Sequence, residues 1–135
     1  MEKVQDRLEF IAPLPPGDCS PNAHVHWRRK HKAAKPYREE AAILFRALGK
    51  GWNPGKVRLS FVFFCGPTID KRYRPLDCEN ALSSVKPLID GFVDGGMCPS
   101  DSYKWLSIGS IEIRRTKRDC EGKAHIQITV ERVEP

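Results

Sequence analysis

The sequence lacks several features that mark common classes of protein. No apolar run in its 135 residues approaches the roughly 20 residues that a helix needs to span a bilayer. The N-terminal stretch MEKVQDRLEFIAPLPPG contains no apolar segment framed as a signal peptide. These absences lead us to expect a soluble, cytoplasmic protein with no membrane partner.

Paired cysteines are also missing. The five cysteines are odd in number, scattered, and contain no Cys-x-x-Cys pair, which argues against a disulfide framework or a structural zinc site. Reduced thiols in a cytosolic compartment are the simplest interpretation. Cys78 lies between two acids, but no histidine is near it in sequence, so a small packing residue is favoured over a catalytic nucleophile.

Positive charge is in excess. The chain has 23 lysines and arginines against 17 aspartates and glutamates, a formal net charge of +6. Such a balance favours an anionic partner, with nucleic acid ahead of a membrane surface. We find no repeat, no low-complexity tract and no domain boundary, so residues 1–135 are expected to form a single domain.

Apolar periodicity gives the order of elements. Residues 18–38 are polar, basic and irregular, which predicts a long loop. Pro87 falls inside the helical pattern over residues 80–92, the second of two, and is expected to kink that helix or divide it. The order strand, helix, strand, helix, strand, strand predicts an α/β (α+β) domain with two main helices packed on a mixed sheet. Strands are predicted over residues 8–14, 56–66, 105–115 and 124–133, and helices over 37–48 and 80–92.

A small acidic cluster precedes the second predicted helix. If residues 77–79 are extended, Asp77 and Glu79 point to the same side and repel each other unless a cation lies between them. Mg²⁺ is the natural cation for such oxygen ligands, and Asp101 could add a third carboxylate if the later turn folds back. The alternative is that Asp77 or Asn80 simply caps the helix, where acids are stabilised by about 0.3–1 kcal/mol each.

Lys86 lies four residues before Asp90. On a helix this spacing is typical of a surface ion pair that contributes a few tenths of a kcal/mol. The functional alternative is that Lys86 turns toward the acids and holds a phosphate or its leaving oxygen. Spacing leaves both interpretations open.

An ordered set of motifs resembles the RusA family of Holliday junction resolvases. The early PLPPGDCSPN is similar to the family's N-terminal Pro-Pro-Ser-x-Asn element, and YREEA is similar to its Tyr-Arg-bearing first helix. Glu79 stands where the family more often has Asp, and the gap from Asn80 to Lys86 is about one helical turn longer than in the best-known member. The central residues of the resemblance are Asp77, Cys78, Glu79, Asn80, Lys86, Asp90, Gly91, Phe92, Gly96 and Asp101.

The resemblance implies a RusA-like fold and a Mg²⁺-dependent endonuclease, with Mn²⁺ as a substitute ion, that acts as a homodimer on branched DNA. It implies that Asp77, Glu79 and Asp101 bind the metal, and that these acids together with Lys86 are the catalytic residues. Small resolvases of this kind are often carried by phages or prophages, so we expect a bacterial or phage-encoded protein.

With that resemblance, the basic residues become candidates for DNA phosphate contacts. Trp27, Tyr37 or Tyr73 could stack on an unpaired base. Two alternatives stay open: a non-catalytic basic DNA-binding module, and a metal-dependent phosphohydrolase that acts on small molecules. The basic candidates are Arg28, Arg29, Lys30, Lys32, Lys35, Arg38, Lys71, Arg72 and Arg74.

Overall fold

The computed structural model describes residues 6–16, 19, 26–65, 77–115 and 125–133. Its four strands form one mixed sheet in the order β1-β4-β2-β3, in which β2 and β3 run parallel and β4 pairs antiparallel with β1 and β2. This agrees with the predicted mixed α/β class in a single small domain. None of the three helices formed by these residues is long and apolar enough to cross a membrane. In chain order the elements are β1 (Arg7–Pro13), α1 (Trp27–Leu48), β2 (Val57–Cys65), α2 (Cys78–Ser84), α3 (Lys86–Asp94), β3 (Leu106–Arg115) and β4 (His125–Arg132).

The hydrophobic core lies between one face of the sheet and the helices. Alternate residues of β1, β2 and β4 are buried, as the two-residue period of a strand requires. A cluster of three phenylalanines joins the layers: the ring centroid of Phe10 on β1 lies 5.3 Å from that of Phe45 on α1 and 4.8 Å from that of Phe92 on α3. Aromatic pairs at such distances stabilise the core beyond the area they bury.

The helix predicted over residues 37–48 is confirmed, but it begins ten residues earlier, so the predicted long loop is wrong for residues 27–36. Pro36 lies inside α1 and removes one backbone hydrogen bond, but the lysines, arginines and alanines before it are good helix formers. His26 caps the start, because its Nδ1 accepts a hydrogen bond from the backbone N–H of Arg28 at 3.2 Å. Residues 18 and 20–25 of the predicted loop lie outside the described residues.

The predicted interruption of the second helix at Pro87 is confirmed as a division. Val85 ends α2 and precedes α3, and Pro87 occupies the first turn of α3. At that position its missing N–H costs no intrahelical hydrogen bond. The described residues therefore form three helices where the sequence predicted two.

Helices α1 and α3 approach closely because two glycines one turn apart face α1: Gly91 in α3 and Gly95 at its C-terminal cap. A Cβ added to Gly91 would overlap the carbonyl oxygen of Arg38 and lie 2.7 Å from the Cβ of Ala41. A Cβ added to Gly95 would lie 2.9 Å from the Cβ of Phe45. These contacts fix the height and rotation of α3 against α1.

The turn between α3 and β3 is anchored by buried side chains and hydrogen bonds. Met97 is fully buried, its N–H donates to the carbonyl of Phe92 at 3.0 Å, and its carbonyl accepts a hydrogen bond from Nε1 of Trp52 at 3.0 Å. The guanidinium of Arg132 stacks over the Trp52 ring, with its central carbon 4.3 Å from the ring centroid. These contacts anchor the turn that carries Asp101.

We predict that Gly91→Ala lowers the free energy of unfolding by roughly 2 kcal/mol, because the added methyl group meets backbone atoms that cannot rotate away. Gly95→Ala should cost less, since its nearest contacts are longer. Urea unfolding followed by tryptophan fluorescence measures both. Equal or higher stability of Gly91→Ala would show that α1 and α3 are not packed this closely.

Candidate active site and nucleic-acid interface

Lys86 stands at the start of α3 and contacts two carboxylates. Its Nζ lies 2.9 Å from Oδ1 of Asp90, which confirms the predicted ion pair at four-residue spacing. The same Nζ also donates a hydrogen bond to the carboxylate of Asp101, 15 residues further along the chain. Lys86 therefore pairs along its own helix and also contacts an acid of the later turn. Its contact with a phosphate stays a prediction.

These contacts favour the charged forms of the groups involved. The hydrogen bonds from Lys86 to Asp101 and then to Asp90 raise the pKa of the lysine above its ordinary value. The hydrogen bond from Lys86 to Asp101 also lowers the pKa of Asp101. Because the Lys86 side chain remains 55% exposed, this ammonium group is accessible to a ligand.

An open groove of about 410 Å³ lies beside the Lys86–Asp101 pair. Its other walls are mostly aliphatic, so a ligand there would meet one charged pair on an otherwise apolar surface. Sequence reasoning missed the groove because α2, α3, the following turn and β3 each contribute only one or a few residues to it. It is lined by Leu82, Ser83, Lys86, Ile89, Asp101, Leu106 and Ile108.

The first two acids of the predicted cluster lie at the start of α2. Asp77 caps this helix: Oδ1 accepts from the backbone N–H of Asn80 at 2.9 Å, and Oδ2 accepts from the Asn80 side-chain amide at 2.9 Å. Glu79 belongs to the first helical turn. The orientation expected of an extended segment is therefore wrong here, because positions two apart on a helix do not face each other. The capping alternative is confirmed.

The predicted metal ligands suit Mg²⁺ in chemistry but are not gathered into one site. Asp77, Glu79 and Asp101 are exposed oxygen donors of the type that Mg²⁺ prefers. Within the described ranges, however, no three Asp, Glu, His or Cys side chains are placed to hold a metal ion together. The start of α2 contacts the middle of β3, where Cys78 Sγ lies 3.7 Å from the carbonyl oxygen of Ile111. Asp101 instead lines the groove near the beginning of β3.

Two thiols near these acids have structural contacts. Cys78 is exposed and donates the weak bond to Ile111 that joins α2 to β3. Cys98 is buried and donates to the carbonyl of Ser100 at 3.1 Å, and burial raises its pKa to about 11. A thiol with such a pKa is protonated at neutral pH and is a poor nucleophile.

Because this segment is helical, some of the basic candidates on α1 lie on the same side of the helix. Arg28, Lys32 and Lys35 are exposed and spaced by four and three residues, so they share one side of α1. Further along, His31, Lys35 and Arg38 line a cleft of about 420 Å³ between α1 and α3. Arg29 and Lys30 follow Arg28 directly and therefore point to other sides of the helix. Lys71, Arg72 and Arg74 lie outside the described residues.

Arg38 is bound to α3. Its Nε lies 2.6 Å from Oδ2 of Asp94 and its Nη2 lies 2.9 Å from Oδ1, which makes a bidentate pair. Its Nη1 lies 4.0 Å from Oδ2 of Asp90. The hydrogen bond from Arg38 lowers the pKa of Asp94. Sequence reasoning missed Asp94, since 56 residues separate the partners and no local pattern joins them.

The prediction that Tyr37 could stack on an unpaired base is wrong. Its ring is buried, and its hydroxyl donates to the carbonyl of Pro13 at 2.7 Å, so it joins α1 to β1. Trp27, at the start of α1, is 66% exposed and stays a candidate. Tyr73 lies outside the described residues.

Comparisons with known proteins assign no family. No protein-family model matches the chain. An uncharacterised protein of Xylella fastidiosa (strain Temecula1) is 37% identical over 99 residues, which are 70% of this chain and 61% of that relative, so the chain spans less than two thirds of it. Two crystal structures of the hydrogenase maturation protein HypE, one in complex with ATP, align at 9% and 10% identity with TM-scores of 0.35 and 0.34. They cover 99% of this chain and 34% and 32% of HypE, and similarities this low carry no argument.

Proposed function

We propose that the protein is a Mg²⁺-dependent, structure-selective endodeoxyribonuclease that resolves Holliday junctions or other branched DNA by phosphodiester hydrolysis. The observation that carries this proposal is the exposed ammonium of Lys86, held between Asp90 and Asp101 on the wall of an open groove. The ordered motifs that resemble the RusA family contain these three residues. We place the enzyme in the bacterial cytoplasm, encoded by the bacterium or by a phage.

Lys86 would act electrostatically. Negative charge grows on the phosphate oxygens during hydrolysis, and a fixed ammonium stabilises it most in a groove that excludes part of the water. The raised pKa of Lys86 keeps the ammonium charged across the neutral range, so it can stabilise an oxyanion but not serve as a general base. Its exposure leaves donor positions open to a phosphate oxygen.

Mg²⁺, with Mn²⁺ as a substitute, is the proposed cofactor, and Asp77, Glu79 and Asp101 are its proposed ligands. Such an ion lowers the pKa of a bound water and neutralises phosphate charge. The three carboxylates do not form a ready site among the described residues, so the proposal for the metal relies on the donor chemistry and on the resemblance. It needs a direct test.

The proposed DNA contact follows the basic side of α1. Arg28, Lys32 and Lys35 lead along the helix to the cleft that Asp90 also lines. A phosphate backbone on this side would pass from exposed cations to the neighbourhood of Lys86. Such contacts give affinity that does not depend on sequence and weakens with salt. Arg29, Lys30, Lys71, Arg72 and Arg74 stay proposed contributors.

A non-catalytic DNA-binding module is the second candidate. It is favoured by the capping role of Asp77, which gives that acid a structural purpose, and by the separation of the three carboxylates among the described residues. The two candidates share the basic side of α1 and differ in what they require of Asp101.

We also propose that the enzyme works as a homodimer. A four-way junction has near two-fold symmetry, and resolving it requires two matched cuts. A two-fold dimer presents two identical sites in matched positions.

We predict that Asp101→Asn lowers the rate of junction cleavage by about 100-fold or more, while binding to the junction changes less than twofold. The substitution removes a proposed metal ligand and a partner of Lys86. EDTA should abolish cleavage by the wild type, and Mg²⁺ or Mn²⁺ should restore it. The assay uses a labelled four-way junction on denaturing gels, with binding measured separately in Ca²⁺.

Asp6→Asn is the matched control for this assay, because it neutralises an exposed aspartate beside β1; it should cleave as the wild type does. If the wild type binds junctions and never cuts them with any divalent ion, the nuclease proposal fails and the binding module takes its place.

For the basic side of α1, we predict that Lys32→Ala weakens junction binding and lowers the slope of log affinity against log salt by about one unit. Arg7→Ala, which removes an exposed cation from β1, should leave the slope unchanged. Fluorescence anisotropy at several salt concentrations measures both. The same slope in Lys32→Ala and wild type would place the DNA elsewhere on the protein.

For the oligomeric state, we predict a light-scattering mass near twice the 15.3 kDa of one chain at the concentration used for cleavage. A mass of one chain, together with full cleavage activity, would rule out the dimer.

A further inference from the structure

Five charged side chains form one continuous chain across α3. Asp101 contacts Lys86, Lys86 contacts Asp90, Asp90 lies beside Arg38, and Arg38 binds Asp94. The signs alternate at every step. Each of the five side chains therefore has at least one neighbour of opposite charge.

Asp90 lies at the centre of this chain. Its Oδ1 accepts a hydrogen bond from Lys86 Nζ at 2.9 Å, and its Oδ2 lies 4.0 Å from Nη1 of Arg38. Its side chain is only 26% exposed, the lowest exposure among the five. A cation thus lies on each side of this carboxylate.

The orientation of Arg38 is fixed more firmly than that of the other members. Its Nε and Nη2 each bind one oxygen of Asp94, and a bidentate pair of this kind favours one planar arrangement of the guanidinium. Its backbone is fixed too, because its carbonyl oxygen lies against Gly91, the residue after Asp90. The third nitrogen, Nη1, lies on the side of Asp90, 4.0 Å from its Oδ2.

We infer that Arg38 is a positioning residue of the proposed active site: bound to Asp94, it holds the Asp90 carboxylate so that Asp90 and Asp101 together direct the Lys86 ammonium into the groove. This inference relies on the proposed function for the role of Lys86. It differs from the direct DNA contact that the sequence suggested for Arg38. A lysine side chain has a long flexible stem, so an ammonium without this support would sample many directions.

The two roles of Arg38 predict different kinetics. If Arg38 positions Lys86, Arg38→Ala should lower kcat by about 10- to 100-fold, the scale expected for a misplaced catalytic group, and change KM less than twofold. If Arg38 binds a phosphate, KM and the dissociation constant should rise, the salt slope should fall by about one unit, and kcat should be unchanged.

Asp94→Asn tests the same contact from the other side. It weakens the bidentate pair and keeps the charge of Arg38, so positioning predicts a lower kcat here as well. The double variant, which carries both substitutions, should then be no slower than the slower single variant, because each substitution breaks the same contact between Arg38 and Asp94. A phosphate contact predicts no loss of kcat in Asp94→Asn.

Arg46→Ala is the matched control. Arg46 also lies on α1 and donates to α3, but only to the backbone carbonyl of Asp94, at 3.1 Å. The substitution removes a cation from the same helix interface, and this cation acts on the Asp94 carboxylate only through space, as its smallest electrostatic influence, without a hydrogen bond to it. Its kcat should equal that of the wild type, and thermal unfolding of all variants checks that they are folded.

A second measurement needs neither DNA nor metal. The order of the Lys86 side chain can be read from ¹³C relaxation at Cε in the free protein. We expect lower order in Arg38→Ala and Asp94→Asn, and wild-type order in Arg46→Ala. Unchanged order in folded Arg38→Ala overturns the inference. If the wild type cuts no DNA, the proposed function fails by itself, and the relaxation data still decide whether Arg38 positions Lys86.

Discussion

The close approach of α1 and α3 is the constraint on which the site depends. Gly91 and Gly95 let the helices touch through backbone and small side chains, which leaves little freedom of rotation or sliding. That contact brings Arg38 to the side of α3 that carries the acids. A wider spacing would separate Arg38 from its partners and leave the start of α3 supported by its own helix alone.

The fold was predictable where local pattern and tertiary packing agree. The alternation in β2 predicted a strand, and the structure buries the same alternate residues. Pro87 predicted the division between α2 and α3, because the restriction it imposes is local. The first half of α1 was missed for the opposite reason: its polar, basic sequence indicated a loop, although lysine, arginine and alanine are good helix formers. Its exposed residues also lack the apolar stripe by which a helix is recognised.

The site was predictable only in part. The spacing of Lys86 and Asp90 indicates their contact, since both lie on one helix. The contact of Lys86 with Asp101 depends on a turn anchored by Met97 and Trp52, which no local pattern reveals. The prediction that Asp77 and Glu79 point to the same side was wrong. Capping satisfies the unpaired N–H groups at a helix start and competes with an extended conformation. The pairing of Arg38 with α3 needed the tertiary structure.

The charge balance of the described cluster explains how a basic protein keeps acids together. Asp90 and Asp101 would repel each other, yet the ammonium of Lys86 lies in contact with both. Asp94 is neutralised in the same way by Arg38. The chain thus supplies its own counter-charges for these three acids. Because side chains of the protein make every one of these contacts, we expect the support of Lys86 to persist when divalent ions are removed.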